Sequence, residues 1–79
     1  MEMTPAQCRM ARAAVEWSQS DLAESAKVRQ VTVSEFERGS DARRSTVEKL
    51  QQALEGAGVV FVGPGEASLS GGAGVRFKG

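Results

Sequence analysis

The stretch SQSDLAESAKVRQVTVSEFERG, residues 18–39, constrains the fold more than any other part of the chain. Ser18 can cap a helix, with Asp21 three residues on as an acidic variant of the capping box. Residues 26–29 are too few to form a separate loop, so we expect a sharp turn there, followed by another helix that Gly39 ends. The stretch therefore predicts two short helices joined by a turn of three or four residues.

The later of these two helices carries a polar row that interrupts its apolar spacing. Only Val33 and Phe36, three residues apart, are expected to face inward. Five other side chains would then stand outward together: Gln30, Val31, Thr32, Ser34 and Glu35. On periodicity alone, such a row is more often a solvated helix face than a binding surface.

A first helix is predicted ahead of this pair. Thr4, Pro5 and Gln7 form a start signal, because the Thr4 hydroxyl can cap a free amide, proline fits the first turn, and Gln7 can reach back to complete a capping box. The helix should run to about Val15. Its inward side is expected to comprise mostly small residues: Cys8, Ala11, Ala14 and Val15. Cys8 is the single cysteine, so it cannot form an internal disulfide, and we interpret it as a buried thiol in a reducing cytoplasm.

A fourth helix and two short strands complete the expected fold. Ser45 and Glu48 form a capping box for the helix, which Gly56 closes. Its apolar face consists of Val47, Leu50 and Leu54. The chain then changes to VVFV, a glycine-rich stretch and VRFK, which predict two strands. The fold class is therefore mainly α, with a helical domain at residues 1–58 and a strand–loop–strand tail at residues 59–79.

The tail allows two interpretations. An isolated two-stranded ribbon is at best marginal in water, so pairing with a second chain would bury its apolar face and make it a dimerisation element. The glycine-rich segment also allows a disordered tail.

Composition restricts the class of function. The 79 residues allow one small domain, and ten basic and ten acidic side chains leave no net charge. Catalysis would have to be built without histidine or tyrosine, and no phosphate-binding loop or metal-ligand spacing is present. We therefore expect no enzyme, cofactor or metal site. No apolar run is long enough to span a membrane, and no leader is evident, so a soluble cytoplasmic protein is expected.

The stretch WSQSDLAESAKVRQVTVSEFERG resembles the Cro/CI-type (XRE) helix-turn-helix repressor domain. The resemblance covers residues 4–55 and rests on Gln19, the Leu22–Ala23 pair and the Glu37–Arg38–Gly39 ending. It implies a lambda-repressor-like fold, double-stranded operator DNA as the partner, and a prokaryotic cell or phage-infected host. With the motif in place, the polar row is interpreted as a DNA-reading face.

Residue roles follow from the resemblance and agree with the chemistry of the side chains. Gln30 can bond adenine at two atoms, Val31 and Thr32 can contact a thymine methyl, and Glu35 can accept a hydrogen bond from cytosine. Ser34 completes the base-reading set. Phosphate contacts are expected from Gln19 and four arginines around the recognition helix: Arg29, Arg38, Arg43 and Arg44.

The resemblance also implies an ion pair and shows two departures from the family pattern. Arg12 and Glu37 occupy the places of a pair that joins the first helix to the third. Lys27 stands where the family mostly has glycine, and a left-handed conformation costs such a residue roughly 1 kcal/mol. Arg29 replaces a small capping residue at the start of the third helix, at a cost of about 1 kcal/mol.

Two functions remain open from the sequence. The leading hypothesis is a transcriptional repressor that binds an inverted repeat as a homodimer. The alternative is an antitoxin-like or other protein-interaction module, in which the tail adds a strand to a partner's sheet.

Overall fold

The computed structural model describes residues 2–62 and 74–77. In these ranges the chain forms four helices and then two strands. The helices are α1 (Pro5–Val15), α2 (Gln19–Ala26), α3 (Gln30–Glu37) and α4 (Arg44–Gly56). The strands are β1 (Val59–Val62) and β2 (Gly74–Phe77). The predicted fold class, mainly α with two short strands at the end, is confirmed.

Two of the three predicted capping boxes are present. The Gln7 amide donates to Thr4 Oγ1 at 3.1 Å, and the Thr4 amide donates to Gln7 Oε1 at 2.9 Å. The same exchange joins Ser18 and Asp21, at 3.0 and 2.9 Å. Each box satisfies two amides at a helix start, so α1 and α2 begin where the local sequence predicts.

The third predicted capping box, Ser45 with Glu48, is wrong. Helix α4 begins at Arg44, two residues earlier than a cap at Ser45 would place it, and Arg43 is its N-cap residue without a side-chain hydrogen bond. The Arg43 carbonyl accepts the first helical bond, from the Val47 amide at 3.0 Å. Ser45 therefore lies inside the first turn, where its helical backbone cannot act as a cap, and Glu48 pairs with Arg44 instead.

The helix ends use left-handed residues. Lys27 follows α2 with φ 60° and ψ 44°, as the resemblance implies for this position, and Glu16 follows α1 with φ 58°. Gly39 follows α3 with φ 95°. Helix α4 ends at Gly56, and Gly58, two residues later, is left-handed with φ 106°.

The core lies between all four helices and the hairpin. Its fully buried side chains include Leu22, Val33, Leu50 and Leu54, together with Cys8 and Ala11 from α1. The predicted inward side of α1 is correct for those two residues, whereas Ala14 and Val15 are half-buried. Trp17 and Val28 pack partly against this core.

The two strands pair antiparallel, with Val59 opposite Phe77 and Val62 opposite Gly74. The hairpin packs on α1 and α4, and Val59 is buried in the same core as the helices. The second strand begins at Gly74, one residue before the predicted VRFK stretch. The predictions for the glycine-rich connection, residues 63–73, and for Lys78 lie outside the described residues.

Candidate nucleic-acid interface

Helix α3 has one buried side and one exposed side. Val33 and Phe36 are buried, as predicted. Three members of the polar row are exposed: Gln30, Val31 and Glu35. Thr32 and Ser34 are half-buried and so retain some contact with solvent. The row is therefore an open surface, and Val31, with 47% of its surface exposed, is one of two large apolar residues in the described chain that stand in solvent.

The end of α3 is fixed by the carboxylate of Glu37, which is buried. Arg12 donates to it twice, from Nε to Oε2 at 2.7 Å and from Nη2 to Oε1 at 2.9 Å. Cys8 Sγ donates to Oε2 at 3.1 Å, and Gln19 Nε2 donates to Oε1 at 3.1 Å. Each oxygen thus accepts two hydrogen bonds, and the donors come from α1 and α2.

The charges in this cluster stabilise one another. Burial by itself would raise the pKa of Glu37, but the hydrogen bonds from Arg12, Cys8 and Gln19 outweigh it, and the pKa lies below its usual value. The hydrogen bond to Glu37 likewise raises the pKa of Arg12. Burial, followed by the hydrogen bond to Glu37, raises the pKa of the Cys8 thiol. The cluster therefore holds an ionised carboxylate, a guanidinium and a neutral thiol.

Two further arginine contacts bind the helix ends. Arg9 Nη1 donates to the backbone carbonyl of Glu37, at the last residue of α3. Arg12 Nη1 donates to the carbonyl of Trp17 at 3.0 Å, just before α2. Helix α1 therefore donates hydrogen bonds to the last residue of α3 and to Trp17, two residues before α2 begins.

Sequence reasoning paired Arg12 with Glu37, and the structure brings these two residues together. It missed Cys8, Arg9 and Gln19 as further partners. The signal for Cys8 was its spacing from Arg12, since residues four apart lie on the same face of a helix. The contact of Arg9 with a backbone carbonyl leaves no trace in the sequence.

Gln19 lies at the start of α2 with its amide nitrogen on Glu37. An amide nitrogen has two protons, so one proton remains for an acceptor outside the chain. The four arginines of the expected phosphate set are all exposed: Arg29, Arg38, Arg43 and Arg44. Arg44 Nε also lies 3.7 Å from Glu48 Oε2, in a pair that is itself exposed.

The first turns of α3 and α4 have no side-chain cap. Arg29 and Arg43 are the N-cap residues, and neither carries the short oxygen-bearing side chain that usually binds these amides. The absent cap at Arg29 was predicted, and that at Arg43 was not. Both helices therefore begin with backbone N–H groups beside an arginine, an arrangement that favours anions.

Across the described ranges, every helix is too short or too polar to span a bilayer. A comparison with curated proteins finds no match. A family model described as helix-turn-helix, HTH_3, matches residues 9–58, which is more than half of the chain. This match includes α2, the turn, α3 and α4, and its family consists of DNA-binding regulatory domains. The protein is thus a DNA-binding regulator, and the chain belongs to the XRE (Cro/CI-type) family of helix-turn-helix domains.

Proposed function

We propose that this protein is a sequence-specific transcriptional repressor that acts in the cytoplasm and binds double-stranded operator DNA as a homodimer. The observation that supports this most is the exposed row on α3, from Gln30 to Glu35, held on a helix whose opposite side is buried. In a helix-turn-helix, the second helix of the pair enters the major groove and contacts base edges.

The chemistry of the row favours a DNA site that contains both A·T and G·C base pairs. Gln30 offers a donor and an acceptor to adenine, and Val31 offers an apolar surface to a thymine methyl. Glu35 accepts only, so it suits the amino group of cytosine and is repelled where no donor faces it. Thr32 and Ser34 are half-buried and contribute from the sides of the row.

Phosphates are proposed to bind at both ends of α3 and at the start of α4. Arg29 and Arg38 flank α3, while Arg43 and Arg44 stand beside the uncapped first turn of α4. The remaining amide proton of Gln19 is directed to a further phosphate. Such contacts fix register on the duplex and carry no sequence information themselves.

A dimer would place two copies of α3 on half-sites about one helical turn, roughly 34 Å, apart. We propose the hairpin as the dimerisation element. Among the described residues each strand pairs only with the other, so each has a second edge on which a strand of another chain can pair. A bound dimer would repress by occluding polymerase.

The test is selection of bound fragments from the source genome, followed by titration of the selected site against a scrambled duplex at several salt concentrations. The proposal expects an inverted repeat, a preference of at least about a thousandfold, and a steep loss of affinity with salt. Sedimentation should show two chains bound to the full site. Weak binding without sequence preference would contradict the repressor and favour a protein-interaction module.

A further inference from the structure

The side chain of Gln7 joins the first turn of α1 to the hairpin. It is fully buried. Its Nε2 donates to the carbonyl of Val62 at 3.0 Å and to that of Gly74 at 3.1 Å, while its Oε1 accepts from the Thr4 amide. Val62 and Gly74 lie opposite each other and form the pair that flanks residues 63–73. One amide therefore closes the hairpin and attaches it to α1.

The next residue in the chain contacts the recognition helix. Cys8 follows Gln7, about 100° further round the helix, and donates to Glu37 at the end of α3. The first two turns of α1 thus contact the hairpin on one side and α3 on another. Gln7 lies on α1, and its acceptors Val62 and Gly74 lie on the two strands. Gln7 and both strands fall outside residues 9–58, the range that matches the helix-turn-helix family.

The hairpin depends on this attachment. A two-stranded ribbon is marginal alone, so its order comes from packing on α1 and α4. Loss of the Gln7 amide would leave two carbonyls without this donor, and an unsatisfied buried polar group is unfavourable. The strands would then separate from α1, and α1 would lose the support on its hairpin side.

We propose that Gln7 is a positioning residue for DNA recognition, because it fixes the hairpin against α1 and so holds α1 where Cys8, Arg9 and Arg12 fix the end of α3. This inference rests on the proposed function, since α3 is taken there as the helix that reads DNA. Gln7 itself contacts no DNA.

The test compares three variants of the full chain. Gln7→Glu has the same shape and keeps an acceptor for the Thr4 amide, but it replaces the amide donor with an oxygen. Gln7→Leu removes the donor without adding a charge, and so serves if the first variant folds poorly. Thr4→Ala is the matched control, because it weakens the cap of α1 and leaves the Gln7 amide in place.

Three measurements distinguish a positioning role from a general loss of stability. They are hydrogen exchange of the strand amides, the amide chemical shifts of residues 34–38, and affinity for the selected operator at a temperature where each variant is folded. Both Gln7 variants should exchange strand amides about tenfold faster and shift the α3 signals. Their operator affinity should fall at least about fivefold, which is the change in an equilibrium constant that corresponds to the net contribution of one hydrogen bond. Thr4→Ala should change neither the α3 signals nor the affinity.

The Gln7→Glu variant adds a rescue. Its new carboxyl is buried beside carbonyls, so it should protonate readily and regain one donor. Strand protection should therefore recover between about pH 8 and pH 5.5, a range in which the wild type is unchanged.

Two results would overturn the inference: strand exchange that accelerates while the α3 signals and affinity stay at wild-type values, or an equal loss of affinity in Thr4→Ala. Wild-type protein without sequence preference would instead refute the proposed function. The exchange and chemical-shift measurements need no DNA and would still decide the role of Gln7.

Discussion

Arg12 and Glu37 join the first and third helices through a bidentate pair, with 2.7 Å between Nε and Oε2 and 2.9 Å between Nη2 and Oε1. The Glu37 side chain is 4% exposed and that of Arg12 is 20% exposed, so the pair is largely shielded from water. Removing Arg12 leaves the buried Glu37 carboxylate with hydrogen bonds from Cys8 and Gln19 but without its opposite charge, which is unfavourable.

Arg12→Met should therefore destabilise the protein by about 3 kcal/mol, at the lower end of the range known for broken buried pairs because the Arg12 side chain is 20% exposed. The expected fall in Tm is roughly 10–20 °C for a domain of this size. Arg44→Met is the matched control, because its pair with Glu48 is exposed and should change stability by less than about 0.5 kcal/mol. Equal effects in thermal denaturation would show that the Arg12 pair does not stabilise the fold.

Acid should weaken the same cluster. The pKa of Glu37 lies below its usual 4.5, so the ionised form favours the folded state. This contribution is complete above about pH 4.5 and is lost as the pH falls through the folded pKa. The difference in Tm between wild type and Glu37→Gln should narrow on acidification from about pH 7 to pH 3. A constant difference over that range would contradict the assignment.

Glu35→Ala should change base preference without loss of stability. Glu35 is exposed, and its proposed contact discriminates by about 1–3 kcal/mol at one base pair. Selection from a randomised duplex should therefore show a relaxed base preference at one or two positions, while the free energy of unfolding stays within about 0.5 kcal/mol of the wild type. Glu55→Ala, an exposed glutamate on α4, should leave the selected site unchanged. If Glu35→Ala selects the same site as Glu55→Ala, Glu35 does not belong to the base-reading set.

Arg43→Ala should weaken binding to every sequence alike. As a phosphate contact it would lower the slope of log affinity against log salt by about 1, without altering base preference. Arg76→Ala, an exposed arginine on β2, is the comparison. A change of preference in Arg43→Ala would indicate that this side chain contacts a base.

Lys27→Gly should stabilise the turn of the helix-turn-helix. Lys27 has φ 60°, a conformation that is unfavourable for a side chain but open to glycine. Relief of this strain is partly offset by the greater freedom of glycine in the unfolded chain, so the gain should be at most about 1 kcal/mol by denaturant unfolding. A loss of stability would show that the lysine side chain contributes contacts that exceed the strain.

Sequence reasoning succeeded where the signal is local. The boxes at Thr4 and Ser18 depend on residues within one helical turn, whereas the left-handed Lys27 was implied by the family resemblance. The box at Ser45 failed although its pattern was equally good. A cap contributes about 1 kcal/mol, and burial of Val47, Leu50 and Leu54 fixes α4 far more strongly than its first turn does.

Contacts between segments that are distant in the sequence were harder to predict. Gln7 was predicted only as part of a cap, because nothing in its neighbourhood indicates that it reaches strands 55 and 67 residues away. The polar row on α3 was predictable from periodicity and motif. Its proposed partners on DNA could be predicted only as chemical classes, since each side chain can bind more than one kind of base.

The buried position of Cys8 makes its thiol a natural probe of local opening of the core. The sulfur is fully enclosed, and its raised pKa keeps it as the poorly nucleophilic thiol. An alkylating reagent can therefore reach it only when the core around Cys8 opens. The rate at which such a reagent labels the native protein therefore reports how often this part of the core opens, and no probe has to be introduced.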